Sequence, residues 1–578
     1  MMMEDAMNTE ISTLALGLLD RPLSDVPQAL VSGQSNGNAV AAGTAILSWM
    51  DLIGTGTGRA TAYNTREEQD AAEALVHDRA FMVDRRIYGA LAAMPGALDR
   101  AKSQALLRLL SSPIDSSVTN VVNPDEWMVI SKLISQLPPQ RMFKLFDELR
   151  KRRVNNKRTR KVILGAIIGS TKLHWWSVKY RGKIKSALKH ALGSREFGVI
   201  CSSAATWLDN LAAEQVPPSD PRERAFVQFI SAMHPVDTGI FLDTGIDKPV
   251  RLAEALAFIA GRKLEHHTWR SGLFLAFYEA RLDLAKGTVL PPEVLEGIRG
   301  HYHPTVSKDD VIALTSRTNA KGKGGSMTQR QRGAVQKRAK SAGIEVEFDP
   351  MKLGLVQLWV HAFEVGLDER VAAAIARKAH TAASVLGMSY EHVAIVVDCS
   401  ESMAGSDEQK LRPMSIALSM RDTLMATCTE SAKTFYCGGE PDAEADSFPV
   451  ELVRPAGDTS IASAVIKALR YDSDLAPGAT PDVLFIVSDG YENAPAGRVA
   501  EVLAAVRRMG IDTPVFQFNP VMAGEKGGVR PLAPGIATTM PVSDPTALGL
   551  SLVRGLLESD PAQGLALVAQ KAAALLGD

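Results

Sequence analysis

The segment His392–Met403 begins with a run of β-branched and small apolar residues, which leads directly into Asp398-Cys-Ser400-Glu-Ser402. An apolar run of this length, without alternating polar residues, is typical of a central parallel strand that is covered on both faces. Open parallel sheets bind their ligands beyond the carboxyl ends of the strands. The segment therefore predicts an α/β domain with Asp398 at the ligand-binding edge of its sheet.

Two later segments add polar side chains of the same kind. Gly457–Ala464 places Thr459 on a turn before an amphipathic helix, and Val483–Gly490 is a second buried strand that ends in Asp489 and a turn glycine. Carboxylate and hydroxyl oxygens are the ligands that hard cations such as Mg²⁺ prefer. The sequence therefore favours a site for Mg²⁺ or another divalent cation. The alternative is that the two aspartates cap helices and the serines fill a turn.

The order of these three segments, Asp-x-Ser-x-Ser, then Gly-x-Thr, then an apolar strand ending in Asp-Gly, resembles the metal-ion-dependent adhesion site of von Willebrand factor A (vWA) domains. The resemblance implies an ion that is held partly through water and leaves one coordination position for a partner's carboxylate. The metal ligands that it implies are Asp398, Ser400, Ser402, Thr459 and Asp489.

The rest of the chain divides by its apolar periodicity. Between Ala41 and Gly387, short segments with apolar residues at three- and four-residue spacing predict paired amphipathic helices, either a HEAT-like solenoid or a compact all-α domain. From Met388 onward strands alternate with helices, which predicts a doubly wound sheet. We therefore expect a flexible lead at 1–40, an all-α domain at 41–387, a vWA domain at 388–558 and a C-terminal helix at 559–578.

A net charge of −1 conceals a strong separation of charge along the chain. Residues 141–190 carry 16 Lys and Arg against 2 Asp and Glu, whereas residues 388–558 carry 13 against 23. Clustered cations bind phosphates and release counterions, and interspersed aromatic side chains can stack on unpaired bases. We therefore predict RNA binding by Arg150, Lys151, Arg152, Arg153, Lys157, Arg158, Arg160, Lys161, Lys172, His174, Lys179, Arg181, Lys183 and Lys185.

A second basic segment, Arg317–Lys340, holds eight cations and no acidic residue, and its glycine-rich first half could become ordered on a phosphate backbone. Two alternatives stay open for both basic segments. They form solvated faces with Trp175 and Trp176 in the core, or they pair with the acidic C-terminal domain of the same chain.

A helical, basic N-terminal part followed by one vWA domain resembles the TROVE-domain proteins, which are the Ro autoantigen and its bacterial relatives. Gly54–Tyr63 and Trp176–Leu192 resemble the glycine segment and the basic helix of that family. The resemblance implies a ring of HEAT repeats that binds single-stranded ends of misfolded RNA and a small non-coding RNA, often with a partner nuclease. The second hypothesis is an adaptor of a MoxR-type AAA+ ATPase, because helical proteins with a vWA domain also serve that role.

Other chemistry has little support in the sequence. The cysteines Cys201, Cys399, Cys428 and Cys437 show no C-x-x-C spacing, and neither His266-His267 nor His301 and His303 have zinc-like spacing. Gly54–Arg59 lacks the features of a phosphate loop, so a turn is the better interpretation. No catalytic arrangement, secretory signal or membrane-spanning run is evident, so we expect a cytoplasmic protein that is not an enzyme and does not bind membranes.

Overall fold

The computed structural model of the 578-residue chain describes residues 36–55, 63–112, 124–213, 220–233, 248–316, 327–386, 389–405, 410–441, 450–470, 480–493, 495–521, 529–559 and 564–570. The chain folds into two compact units. The sheet unit comprises the described residues within Met1–Ala105, Val122–Val129 and Pro350–Asp578. The helical unit comprises those within Leu106–Val121 and Ile130–Asp349.

Up to Leu386, the regular elements that the structure describes are all helical, as the apolar spacing predicts. Polar side chains cap several of them; Asp84, for example, accepts the N–H groups of Arg86 and Ile87 at the start of its helix. The α-helices are α1 (Asn36–Thr55), α2 (Arg66–Val83), α3 (Arg85–Ala93), α4 (Asp99–Ser111), α5 (Pro124–Gln136), α6 (Pro139–Lys151), α7 (Lys157–Ile168), α8 (Leu173–Lys179), α9 (Arg181–Leu192), α10 (Ser194–Ala212), α11 (Arg224–Met233), α12 (Lys248–Ala260), α13 (Gly272–Glu279), α14 (Pro292–Tyr302), α15 (Lys308–Ser316), α16 (Gln329–Ser341), α17 (Leu355–Val365) and α18 (Glu369–Leu386).

Beyond residue 389 strands and helices alternate. The strands are β1 (Tyr390–Asp398), β2 (Cys428–Cys437), β3 (Glu440–Pro441), β4 (Val453–Arg454), β5 (Val483–Val487), β6 (Val515–Asn519) and β7 (Thr538–Pro541). The helices are α19 (Arg412–Met425), α20 (Ile461–Leu469), α21 (Arg498–Arg508) and α22 (Leu548–Ser559). Of the predicted C-terminal helix at 559–578, residues 564–570 are helical, Ser559 ends α22, and the other residues lie outside the described ranges.

Five strands form one parallel sheet in the order β2-β1-β5-β6-β7, and β3 pairs with β4 in a separate antiparallel ribbon. β1 is central and pairs with β2 on one side and with β5 on the other. The order of the strands reverses between β1 and β5. In open parallel sheets, this reversal opens a crevice for ligands at the carboxyl ends of the two strands.

Helices cover both faces of this sheet. On one face, apolar residues of β1 and β5 pack with α20 and α21 in a single core cluster. α19 contacts β1, β2 and β5, and every residue from Pro413 to Leu424 is buried because α17 and α18 pack onto the same helix. The continuous apolar strands predicted this two-sided burial.

The first described helix, α1, also belongs to the sheet unit. It packs against β7 and α22, where the guanidinium of Arg554 binds the buried carboxylate of Asp51 at 2.8 Å. Gly54 lies against Pro541 at the end of β7. The compact units therefore depart from the predicted boundary at 387/388, because α1–α3, α17 and α18 bury their apolar faces in the unit that contains the sheet.

The structure confirms the predicted helical part followed by an α/β part with a parallel sheet. A HEAT-like ring stays a prediction. The first described helix, α1, begins at Asn36, before the predicted start at residue 41, and of the segment 54–59 only Gly54 and Thr55 are described, as the end of α1. The sequence also suggested a strand at Val450–Val453, but only Val453 of that segment lies in a strand, the short β4 of the separate ribbon. Among the described residues, no helix is long and apolar enough to cross a membrane.

Candidate metal centre and basic surface

The two aspartates of the predicted metal site lie at the ends of neighbouring strands. Asp398 is the last residue of β1, and Asp489 follows β5 by two residues. Both side chains are buried. Because β1 and β5 run parallel and pair directly, the two carboxylates lie together at the point where the strand order reverses.

Hydrogen bonds fix the orientation of the Asp398 carboxylate. The hydroxyl of Ser488 donates to Asp398 Oδ2 at 2.8 Å, and the N–H of Ser400 donates to Oδ1 at 3.0 Å. Ser488 in turn accepts the N–H of Gly490 at 3.0 Å. Ser488 was absent from the predicted site, although its position between a buried strand and Asp489 was the signal that could have identified it.

The two predicted serines lie directly after β1. The Oγ atoms of Ser400 and Ser402 are 3.1 Å apart, and the side chain of Ser402 also hydrogen-bonds to Asp489. Ser402 is exposed, as is the side chain of its neighbour Glu401. The Asp-x-Ser-x-Ser segment therefore connects the two aspartates through its hydroxyl groups.

Thr459 lies on the loop before α20 and is buried. Its N–H donates to Asn493 Oδ1 at 3.2 Å, and Asn493 belongs to the loop that follows Asp489. At the other end of the Thr459 loop, the carbonyl of Gly457 accepts the N–H of Glu401 at 3.2 Å. The three segments predicted from sequence are therefore joined to one another by hydrogen bonds.

Burial raises the pKa of Asp398 to about 7, and the negative charge of Asp489 adds to the shift. Burial also raises the pKa of Asp489, against the opposing effects of the Tyr491 N–H, the Ser402 hydroxyl and the charge of Arg530. Two neighbouring buried carboxylates attract a cation strongly, because a cation relieves the desolvation of both and the repulsion that Asp489 exerts on Asp398.

The donor set suits a hard cation. Two carboxylates and three hydroxyl groups provide only oxygen, which fits Mg²⁺ better than it fits zinc. Across the described ranges, no group of three or more His, Cys, Asp or Glu side chains is placed to hold a metal ion. An ion at this position would therefore use the hydroxyl groups of Ser400, Ser402 and Thr459, or water, beside the two aspartates.

The predicted RNA-binding residues of the helical unit differ in how accessible they are. Arg150 and Lys151 are exposed but bind Asp147 and Glu148 at 2.6 and 3.0 Å. Lys179 binds Glu293 at 2.9 Å. The exposed members of the set are Arg150, Lys151, Arg152, Arg153, Lys157, Arg160, Lys172 and Lys183, while Lys161, Lys179, Arg181 and Lys185 are half-buried.

Two of the predicted residues face the interior instead. Arg158 is buried and donates to the carbonyl of Ser112 at 2.7 Å. The His174 ring nitrogen Nε2 lies 3.2 Å from the Arg251 carbonyl oxygen and 3.3 Å from Glu254 Oε2. Burial lowers the pKa of His174 to about 4, so this ring is neutral at pH 7. We therefore exclude both residues from the candidate RNA surface.

Aromatic rings accompany the accessible cations. The Trp175 side chain is 46% exposed, whereas Trp176 is half-buried, with its ring 5.9 Å from that of Phe143. The ammonium groups of Lys179 and Lys183 lie 5.4 and 5.9 Å from the centroid of the Tyr180 ring. Of the two tryptophans, Trp175 therefore offers the more accessible face.

The second basic segment is only partly described, because residues 317–326 lie outside the described ranges. In α16, Arg332 is buried and donates to the Glu347 carbonyl at 2.8 Å, and Arg338 binds Asp309 at the same distance. Arg330, Lys337 and Lys340 are exposed. This helix therefore contributes fewer accessible charges than its composition suggests.

No protein-family model matches this chain. A search of curated proteins finds no match either. The functional proposal below therefore rests on the geometry of the two sites and on the resemblance of the motifs.

Proposed function

We propose that this protein is an RNA-binding protein of the TROVE type, in which the helical unit binds RNA and the sheet unit is a vWA domain that binds Mg²⁺. The observation that carries the RNA proposal is a cluster of exposed cations around one turn. Arg152 and Arg153 follow the end of α6, and Lys157 and Arg160 lie in the first turn of α7. We call these four residues the basic turn.

The charges of the basic turn support phosphate binding. In the part of the chain that the structure describes, no carboxylate pairs with Arg152, Arg153 or Lys157. Such cations displace counterions from a nucleic acid at little cost, since no internal ion pair must be broken first. Arg153 also adopts a left-handed backbone conformation, with φ of 57°, which is uncommon outside glycine. The turn thus exposes consecutive cations that pair with no carboxylate among the described residues.

The test of RNA binding uses the full-length protein. We expect the purified protein to retain nucleic acid, seen as a high absorbance at 260 nm, and to bind single-stranded RNA with an affinity that falls steeply with salt. The variant Arg152→Glu/Arg153→Glu/Lys157→Glu should weaken binding to every RNA sequence. The matched control, Lys263→Glu/Arg270→Glu/Lys286→Glu, removes the same number of exposed charges elsewhere in the helical unit. Equal affinities for both variants would contradict the proposal.

A second candidate function is favoured by the metal centre. Asp398, Asp489 and the hydroxyl groups of the site lie at the sheet edge where a bound ion could accept a partner's carboxylate. That arrangement suits an adaptor of a MoxR-type AAA+ ATPase. An adaptor should capture the ATPase in the presence of Mg²⁺, should lose it in Asp398→Ala, and should carry no nucleic acid. Retained RNA together with Mg²⁺-independent capture would decide against the adaptor.

A further inference from the structure

The loop after β5, which carries Asp489, also hydrogen-bonds to the segment around Thr459. Asn493 is exposed, yet its Oδ1 accepts the N–H of Thr459 across 34 residues of sequence at 3.2 Å. Asn493 follows Asp489 by four residues. One short loop therefore carries a proposed metal ligand at one end and, at the other, a side chain that holds the backbone of a second proposed ligand.

The neighbouring residue, Glu492, connects the same loop to two helices. Its Oε1 accepts the N–H of Ala462 at 3.1 Å and its Oε2 accepts the N–H of Val499 at 3.0 Å. These donors lie in the first turns of α20 and α21. The first N–H groups of a helix have no partner within the helix, and a carboxylate beside them is favourable for the helix dipole.

Neither helix has a capping side chain of its own. The residues that precede α20 and α21 are Ser460 and Gly497, and neither makes a side-chain capping hydrogen bond. Glu492 therefore supplies this function to both helices with a single carboxylate. Since α20 begins two residues after Thr459, the position of this threonine depends on the contact with Glu492 as well as on Asn493.

The opposite side of the Thr459 loop is held by residues that directly follow β1 and β2. The N–H of Ala456 donates to the Cys399 carbonyl at 2.9 Å, and the Ala456 carbonyl accepts the N–H of Gly439 at 2.8 Å. The residues that follow β1 and β2 thus fix the start of the Thr459 loop, and the loop after β5 fixes its end. Removing one side would leave the Thr459 hydroxyl free to move relative to the two aspartates.

We propose that Glu492 and Asn493 are positioning residues of the metal site, which set its affinity for a divalent cation by fixing the Thr459 loop beside the loops that carry Asp398 and Asp489. This inference rests on the proposed Mg²⁺ binding by the sheet unit. Outer-shell partners of metal ligands typically change metal affinity by about 10–100-fold when they are removed. Asn493 and Glu492 would be outer-shell partners of this kind for Thr459.

The primary test measures Mg²⁺ affinity of the full-length protein by calorimetry. Asn493→Ala removes the acceptor without changing any charge, and we expect affinity about tenfold weaker. Asn493→Asp keeps the acceptor oxygen and should restore binding. Glu492→Gln keeps one acceptor of two and should also weaken binding, whereas Glu501→Gln removes an exposed carboxylate from α21 and should not.

A double-variant comparison separates positioning from general destabilisation. If Asn493 acts through Thr459, then Asn493→Ala should have little further effect on affinity in a Thr459→Ala background. Thermal unfolding without metal shows whether each variant folds. If Glu492→Gln does not fold, the result for Asn493→Ala alone tests the proposal. Wild-type affinity in a folded Asn493→Ala protein, or full additivity with Thr459→Ala, would overturn the positioning role only. Failure of the wild-type protein to bind Mg²⁺ would overturn the metal proposal itself.

Discussion

The indole N–H of Trp359 donates a 2.9 Å hydrogen bond to Asp422 Oδ2, while Asp422 Oδ1 binds the guanidinium of its neighbour Arg421 at 2.6 Å. All three side chains are buried. Arg421 also donates to the Tyr436 hydroxyl and to the Glu451 carbonyl. This network joins α17 to α19 and β2, so it fixes a helix that precedes the sheet to the layer that covers it.

We expect Arg421→Met to lower the free energy of unfolding of the sheet unit by about 3–5 kcal/mol, because it leaves the buried Asp422 without its cation. The methionine fills similar space, so the loss reports the unpaired charge rather than a cavity. Denaturant unfolding followed by the fluorescence of the buried tryptophans measures it. The control is Arg498→Met, which breaks an exposed ion pair and should change stability by less than about 1 kcal/mol. Equal effects of the two substitutions would show that the buried pair of Arg421 and Asp422 does not stabilise the sheet unit.

The stability of the metal-free protein should fall as pH rises towards neutrality. The pKa of Asp398 is about 7 in the folded state, above the value of about 3.9 in an unfolded chain. Between these pH values, Asp398 keeps a proton in the folded state that it has lost in the unfolded chain. The stability that this proton contributes is present at low pH and is lost as pH rises through about 7. Asp398→Asn should remove this loss and raise the melting temperature in EDTA at pH 8. Identical pH profiles for both proteins would exclude Asp398 as the cause.

Mg²⁺ affinity should have the opposite pH dependence. Protons compete with the ion for the same carboxylates, so affinity should fall by up to about tenfold per pH unit as pH decreases below about 7. Calorimetric titrations at pH 6, 7 and 8 measure this dependence. An affinity that is constant over this range would show that the ion binds elsewhere.

Neutralising the basic turn should reduce the salt dependence of RNA binding. For single strands, the slope of log affinity against log salt is about −0.7 for each phosphate contact. Loss of three contacts in Arg152→Gln/Arg153→Gln/Lys157→Gln should therefore make the slope less steep by about 2. Fluorescence anisotropy at four salt concentrations gives the slope. A weaker affinity with an unchanged slope would mean that the substitutions act on folding rather than on phosphate contacts.

His174 should remain neutral well below pH 6. Burial against Arg251 and Phe274 lowers its pKa to about 4, below the ordinary value of about 6.5. The neutral ring therefore contributes stability that is present above pH 6.5 and is lost as pH falls towards 4. Imidazole chemical shifts measured by NMR report the titration directly. A midpoint near 6.5 would place the ring in solvent and return it to the candidate RNA surface.

Strong apolar patterns carried most of what could be predicted about the fold. Leu355–Val365 and Ile461–Leu469 have a clear helical period, Val483–Val487 is a continuous apolar run, and polar or glycine residues flank all three segments. β7 was missed because it is only four residues long and contains Pro541, which is tolerated at a sheet edge. The position of β7 depends on α1, which lies far earlier in the sequence, and on α22, which follows it.

The candidate metal site shows which side-chain positions local spacing can and cannot predict. Asp398, Ser400 and Ser402 were predictable because a strand end places them together, and Asp489 because β5 pairs with β1. Asn493 was not predictable, since its role depends on the loop that folds back to Thr459. Charge counting was less reliable for the basic segments, because arginines such as Arg158 and Arg332 use their donors on buried carbonyl groups.

The contact between Asp51 and Arg554 constrains how the sheet unit can be made during translation. The partner of α1 is synthesised about 500 residues later, so the apolar side of α1 must wait for most of the chain to leave the ribosome. Fragments that begin near residue 388 lack the helices that cover β7, α19 and α22. Such fragments would expose these surfaces, so a stable minimal sheet unit must begin near residue 350 and carry residues 36–105 as a second chain or a fused segment.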